Sequence, residues 1–348
     1  MTTDRDQIWE FIHRFQELAA GATTIGLLSV ADRTGLLRFL AGSSSVTPDE
    51  AASGAGLNPR YVEEILFGLA AAGVIEHEGD RFTLPTATAE VIASDDSPYS
   101  MVGWLDMIPA AMARVGDVAD ATQQGGGVPF ELFGPDMIRG IDRANSPSQR
   151  ILLARRWLAA VPGLIERLES GGRVADVGCG SGTAAIAIAE RFPECEVVGI
   201  DVSSPSLERA KERGAGIANL EFMESTVEEM PTEPGFDLVT AFDVIHDLAD
   251  PLAGLRRIRQ SLPPDGLFLM MEPAAGATLE ENIGARGALL YGISALHCMT
   301  QSLARRGAGL GAAWGPVKAE ELAREAGFTS FESLDDISNE FSAFYLVR

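Results

Sequence analysis

Ile8, Phe11, Ile12, Phe15 and Leu18 recur three and four positions apart with charged residues between them, which predicts an amphipathic helix over 7–20. A second helix follows over 24–41. Thr47 ahead of Pro48 opens another helical stretch over 47–56. Asn58-Pro59 then restarts a helix that runs through Leu69 and is ended by Gly73. Val74 to Glu78 and Arg81 to Leu84 flank Gly79-Asp80 as a small hairpin, giving a helix-turn-helix with a wing over residues 1–98.

Residues 99–150 carry Trp104, Met107, Met112, Phe130 and Phe133, interrupted by Gly125-Gly126-Gly127 and several prolines, and read as a helical connector that contributes to a substrate pocket. A long amphipathic helix is expected from Arg150 to Leu168. Val174, Ala175 and Val177 suit a buried parallel strand, and Thr183 to Arg191 a helix. The alternation continues with a helix over 206–213, strands over 220–223 and 236–241, a helix over 252–262 and a strand over 266–271. Strand and helix in turn predict a parallel sheet over 151–348. Residues 328–334 and 341–347 are successive strand candidates, and the segment 276–315 is inserted before them.

The chain has 348 residues, 46% of them hydrophobic, enough for one large or two ordinary domains. Cys179, Cys195 and Cys298 are odd in number and lack metal-ligand spacing, so neither a disulfide framework nor a zinc site is expected, and a cytoplasmic location fits. No acidic cluster has ligand spacing either, so no metal is expected. The N-terminal residues do not resemble a secretory signal, and no stretch of about twenty uninterrupted apolar residues occurs, so no membrane association is expected. The net charge of −23 opposes contact with nucleic-acid phosphates. Residues 1–98 alone hold 6 Arg and no Lys against 15 Asp and Glu, a balance of −9. The second helix of the helix-turn-helix sets Arg60 beside Glu63 and Glu64. A dimerisation role, with the 8–18 stripe between two subunits, therefore fits better than a DNA reader.

Candidate chemistry begins at VADVGCGSG, residues 174–182. Gly178, Gly180 and Gly182 allow a tight strand-to-helix turn and close approach of a ligand, and the following helix start favours an anion. Asp201 ends the next strand, where it suits a bidentate bond to ribose hydroxyls. The turn is GxGxG with Asp176 two residues before it, which departs from the dinucleotide pattern GxGxxG. These residues resemble motif I and the next acidic residue of class I S-adenosylmethionine-dependent methyltransferases. The resemblance implies a Rossmann-like seven-stranded sheet, the methionine end at the turn and the ribose on Asp201. The expected cofactor set is Asp176, Gly178, Cys179, Gly180, Gly182, Asp201, Val202, Ser225, Thr226, Val227, Phe242 and Asp243. Many relatives have an acidic then an apolar residue at the adenine, where this chain has Thr226 and Val227, so the adenine contact stays open among Ser225, Thr226 and their neighbours.

His246 and Asp247 follow an apolar strand, and Glu272 ends the next one, at the edge where open α/β sheets build their sites. An ordinary imidazole pKa near 6.5 suits a base at neutral pH. This arrangement resembles small-molecule O-methyltransferases of the plant caffeic-acid type, which carry a winged-helix dimerisation domain ahead of the catalytic sheet. By that resemblance His246 is the general base on a hydroxyl and Glu272 positions it, with Asp247 alongside. The plant enzymes have a tryptophan after the His-Asp pair where this chain has Leu248, which leaves the acceptor open. Trp104, Met107, His297 and Met299 are the candidate substrate contacts, His297 being equally readable as a core residue or a second acid or base. The expected activity is methyl transfer to a small-molecule hydroxyl, with S-adenosylhomocysteine as product. C- or N-methylation, a ligand-sensing DNA-binding regulator and a non-methylating use of the sulfonium charge remain the alternatives.

Overall fold

A single helix, Asp4–Arg33, stands where two were expected over 7–20 and 24–41. The Thr23 and Thr24 hydroxyls donate back to carbonyls one turn earlier, so the polar residues at the expected break stay inside the helix. The break comes instead at Gly35, whose φ of 78° starts the short helix Leu36–Ala41. The computed structural model describes residues 4–348 and divides into two compact units. The first comprises the chain up to Ala110 together with Arg139–Pro147, and the second Ala111–Ile138 together with Ser148–Arg348. The connector expected over 99–150 is thus shared between them. It is helical, as read from its residues, holding Trp104–Met112, Val115–Gln124 and Gly134–Leu152.

In the first unit, Thr47 and Glu50 form a reciprocal capping box ahead of helix Pro48–Ala55, and the Asn58 side chain caps Pro59–Ala71. β1 (Glu76–Glu78) and β2 (Arg81–Thr83) pair antiparallel as the wing, and Val46 bridges to Phe82. Leu36, Leu37, Leu40, Leu66 and Leu69 are fully buried between the helices. Beside this core lies a charge network that periodicity did not disclose. Asp106 is fully buried and accepts hydrogen bonds from Arg33, Arg139 and Arg143, while Arg143 also pairs with Asp32 and Asp95. Burial works against the Asp106 charge, but Arg139 and Arg143 more than offset it and hold the carboxyl below its ordinary range.

The second unit is built on β3 (Gly172–Val177), β4 (Cys195–Asp201), β5 (Leu220–Glu224), β6 (Leu238–Phe242), β7 (Leu267–Pro273), β8 (Phe331–Ser333) and β9 (Ser342–Val347). Their order is β5-β4-β3-β6-β7-β9-β8, parallel except for β9, which runs antiparallel to both β7 and β8. This is the expected seven-stranded Rossmann-like sheet. Two apolar layers cover its faces, one around Phe236, Val239 and Phe268, the other around Val174, Leu238 and Leu269. The chain winds outward from β3 to β5, then returns to β6 on the other side of β3, so the switch point lies beside the end of β3. The long helix expected over 150–168 is broken. Helix Gly134–Leu152 runs into a π turn, Leu153–Trp157, and a 3-10 turn, Leu158–Ala160, before a separate helix Leu164–Glu169. Pro162 lacks an amide donor and Gly163 adopts φ of 74°, which together stop the helix.

Candidate active site

β3 ends in the glycine turn at the switch point. Gly178 needs to be glycine twice over: its φ is 65°, and a Cβ would lie 2.4 Å from the Val244 side chain. At Gly180, φ of 53°, an added Cβ would meet nothing within 4 Å, so the turn presents bare backbone to open space. Gly182 then leads into helix Thr183–Arg191. Asp201 braces this turn. Its Oδ2 accepts from the Gly180 amide at 2.8 Å and its Oδ1 from the Ser203 amide at 2.8 Å. Each carboxylate oxygen keeps a second lone pair for another donor. Burial still raises its pKa above the ordinary carboxylate value. Cys179 is tied through its amide to the Ile200 carbonyl, and burial pushes its thiol up, which keeps it neutral.

Asp176 is buried beneath the turn. Its Oδ1 accepts from the Thr240 hydroxyl at 2.7 Å, whereas Oδ2 finds no hydrogen-bond partner. Burial pushes its pKa up to about 7. Ser225, Thr226 and Val227 follow β5, with the Ser225 amide donating to the Asp201 carbonyl at 3.0 Å. Val202 is 46% exposed next to Asp201. Phe242 is placed differently from its neighbours. Its ring packs 5.6 Å from Trp157 in the core, leaving only its backbone at the sheet edge. Asp243, the next residue, holds a left-handed φ of 58°, a strained conformation for a non-glycine residue, and burial raises its pKa to about 7.

The 3-10 turn Ile245–Asp247 after β6 carries His246, which is 3% exposed. Its Nδ1 lies 2.6 Å from Glu272 Oε2, and Glu272 Oε1 accepts from the Ile245 amide at 2.9 Å. Glu272 therefore grips both the ring and the turn that bears it. Asp247 Oδ1 is 3.3 Å from Nε2 but is not aligned for a hydrogen bond and has no other partner. Burial alone would depress the imidazole pKa. Asp247 and Glu272 outweigh it and hold His246 well above the ordinary histidine value. The expectation of an unperturbed pKa is thereby corrected.

His297 is also buried, on the π turn Ser294–Cys298 of the inserted segment, edge-on to Phe133 at 4.8 Å and to Phe130 at 5.8 Å. Its Nε2 has no hydrogen-bond partner, and burial pushes its pKa down. Met299, two residues further on, is half-buried. Trp104 and Met107 lie half-buried on helix Trp104–Met112 of the first unit. Two residues that motif reasoning missed also shape the site. Thr240 donates to one oxygen of Asp176, and Arg213 donates to Ser181 at 2.8 Å and Thr183 at 3.0 Å, pinning the glycine turn from outside. The only sequence signal for Thr240 was a hydroxyl inside an otherwise apolar strand.

Residues 168–327 match a family model described as a methyltransferase domain, and residues 21–94 match one described as an Rv2258c-like winged HTH domain. The chain joins a methyltransferase domain to an N-terminal winged helix-turn-helix domain. The trans-aconitate 2-methyltransferase of Afipia carboxidovorans is 30% identical to it over 125 residues, 36% of this chain and 46% of that protein. The match thus spans about half the length of such curated relatives. Human N-acetylserotonin methyltransferase, solved in complex with SAM, superposes with a TM-score of 0.69 at 21% identity, covering 100% of this chain and 99% of that one. Mitomycin 7-O-methyltransferase MmcR gives 0.71 at 18% identity, covering 98% and 99%. Both likenesses establish the fold of the methyltransferase domain together with its winged partner.

Proposed function

We propose that this protein transfers a methyl group from S-adenosylmethionine to a hydroxyl oxygen of a small molecule. The observation that carries the reading is the Glu272–His246 pair, set on the same sheet edge as the glycine turn. The turn fits the nucleoside. Gly180 leaves open space where a side chain would intrude, Asp176 keeps an unpaired buried oxygen, and Asp201 has lone pairs free for ribose hydroxyls. Val202, the Asp243 backbone and Ser225 to Val227 complete the set that would hold it. When bound, the cofactor supplies a methyl group already activated on sulfur, so the protein need only align and deprotonate the acceptor.

His246 takes the hydroxyl proton at Nε2. Glu272 keeps Nδ1–H oriented and stabilises the imidazolium that results. Asp247 beside Nε2 adds to that stabilisation. His297, neutral and with Nε2 unpaired, offers the acceptor a polar contact. Asp243, Asp247 and Glu272 make the neighbourhood of His246 negative, which favours a neutral hydroxyl over a carboxylate acceptor of the kind named for the trans-aconitate enzymes.

The winged unit serves dimerisation in this reading. Ile8, Phe11, Phe15 and Leu18 are each more than half exposed along helix Asp4–Arg33, an apolar stripe suited to a second copy of the chain. On the helix that would read DNA, Arg60 is paired with Glu63 and Glu64. Among the described residues no helix is long and apolar enough to cross a membrane, and the three free cysteines suit a reducing cytoplasm. Calorimetry and turnover test the proposal together. His246→Ala should keep S-adenosylhomocysteine binding and lose about 10²- to 10⁴-fold in turnover on a hydroxyl acceptor. Asp201→Ala should lose the binding. Unchanged turnover removes His246 from its role, and absence of binding to the wild-type protein removes the reading.

A further inference from the structure

A ring nitrogen of His246, a carboxylate oxygen of Asp247 and Cys298 Sγ all lie within 4.8 Å of one another, and His246 Nε2 is 3.3 Å from Asp247 Oδ1. They come from two elements, the 3-10 turn after β6 and the π turn of the inserted segment, so no spacing in the sequence announces them. Three observations mark the cluster as more than a crowded corner. Glu272 holds His246 by Nδ1 at 2.6 Å, which leaves Nε2 to carry the lone pair of the neutral ring, 3.3 Å from Asp247 Oδ1. A carboxylate fixing the far nitrogen of a histidine is the arrangement that recurs behind metal-bound imidazoles. Asp247 Oδ1 is buried and has no hydrogen-bond partner, an expensive state that a cation would relieve. Cys298 then supplies a soft sulfur, and coordination deprotonates a thiol outright.

We propose that His246, Asp247 and Cys298 together bind a thiophilic divalent cation of the zinc class, and that the bound ion withholds His246 from proton transfer. Nitrogen, oxygen and sulfur donors on tetrahedral zinc stand about 3.3–3.5 Å apart, given bond lengths of about 2.0–2.3 Å. The widest pair in the cluster therefore closes by no more than roughly 1.5 Å, within the reach of side-chain rotation. Three protein ligands leave a fourth position for water. The Asp247 side chain is 29% exposed and gives a route in, while His246 and Cys298 are buried. Glu272 adds negative charge beside the ion, and binding releases to solvent the Cys298 thiol proton and, from a protonated ring, the His246 Nε2 proton. The inhibitory half rests on His246 being the base, because one lone pair on Nε2 cannot serve both a metal and a proton.

Cobalt(II) titration of the full-length protein is the direct test, since thiolate-to-cobalt charge transfer absorbs in the near ultraviolet. One equivalent should produce that band, zinc should displace it, and Cys298→Ala should abolish it while S-adenosylhomocysteine binding by calorimetry reports an intact fold. Glu272→Gln should weaken cobalt binding about 10- to 100-fold. Zinc at one equivalent should suppress wild-type turnover reversibly with a chelator, and Cys298→Ala should need far more zinc relative to its own zinc-free rate. A wild-type protein with no charge-transfer band overturns the proposal. So does a band that persists in Cys298→Ala, which would put the ion on another cysteine. A cobalt band without S-adenosylhomocysteine binding would leave the metal site standing and remove the methyltransferase reading, and the converse result would do the reverse.

Discussion

Glu272 holds His246 through a 2.6 Å contact to Nδ1 and, with its second oxygen, holds the amide of Ile245 one residue earlier. One side chain thus sets both the orientation of the ring and the position of its backbone. Replacing it by glutamine keeps the shape and removes the charge. Glu272→Gln is expected to lower kcat by about one to two orders of magnitude, no more than the lower limit for losing general-base assistance because His246 itself remains, with KM for the cofactor nearly unchanged. Steady-state kinetics separate the two parameters.

The groups facing His246 are Asp243, Asp247, Glu272, His297 and Cys298, and among them Asp247 and Glu272 raise its pKa. A base works only unprotonated, so raising the pKa moves the working range upward. Turnover should still be climbing above pH 6.5, where an ordinary histidine would be half deprotonated. Asp247→Asn removes one raising charge and should move the rising limb to lower pH. A pH–rate profile of both proteins reads this out.

Asp176 and Asp243 both have pKa values of about 7 in the folded protein, against 3.8 for an ordinary aspartate. The native state therefore holds protons that the unfolded chain has already released between those values. These two groups make stability fall as pH rises from about 4 to 7, by about 1.4 kcal/mol per pH unit for each group while it lasts. Asp176→Asn, which leaves no charge to bury, should gain on the wild type in urea unfolding at pH 7.5 relative to pH 5.

In the first unit, Arg143 serves Asp32, Asp95 and Asp106 at once, and two of these are buried. Arg143→Met fills a similar volume but strands carboxylates away from water. A loss of about 3 kcal/mol or more is expected. Urea denaturation followed by far-ultraviolet circular dichroism measures it.

The strands and helices of the sheet were legible because β3, β6 and β7 are mostly apolar, with a single polar residue, Thr240, inside β6 and the five-residue apolar run Leu267 to Met271 in β7. The glycine turn, Asp201 and the His246–Glu272 pair followed from their positions at strand ends. Local pattern failed where the deciding partner is remote. Thr23 and Thr24 look like a break until their hydroxyls are seen to bond back along the helix. The Phe242 ring packs against Trp157, a partner far away in sequence that no local spacing announces. Arg143 is one of many scattered arginines until folding gathers three aspartates around it. Asp201, expected to meet a ligand, also holds the turn's own amide, and nothing in its spacing told of that second duty.

β9 runs against β7 with Ala343 opposite Glu272, so the strand that carries the anchor of His246 is hemmed on one flank by β9. The aim of the His246 ring is thus mechanically indebted to a strand that joins the sheet well after Glu272 in the sequence. A protein cut short before Ser342 would leave Glu272 on an open border and could not be expected to keep its histidine aimed, even with every motif intact.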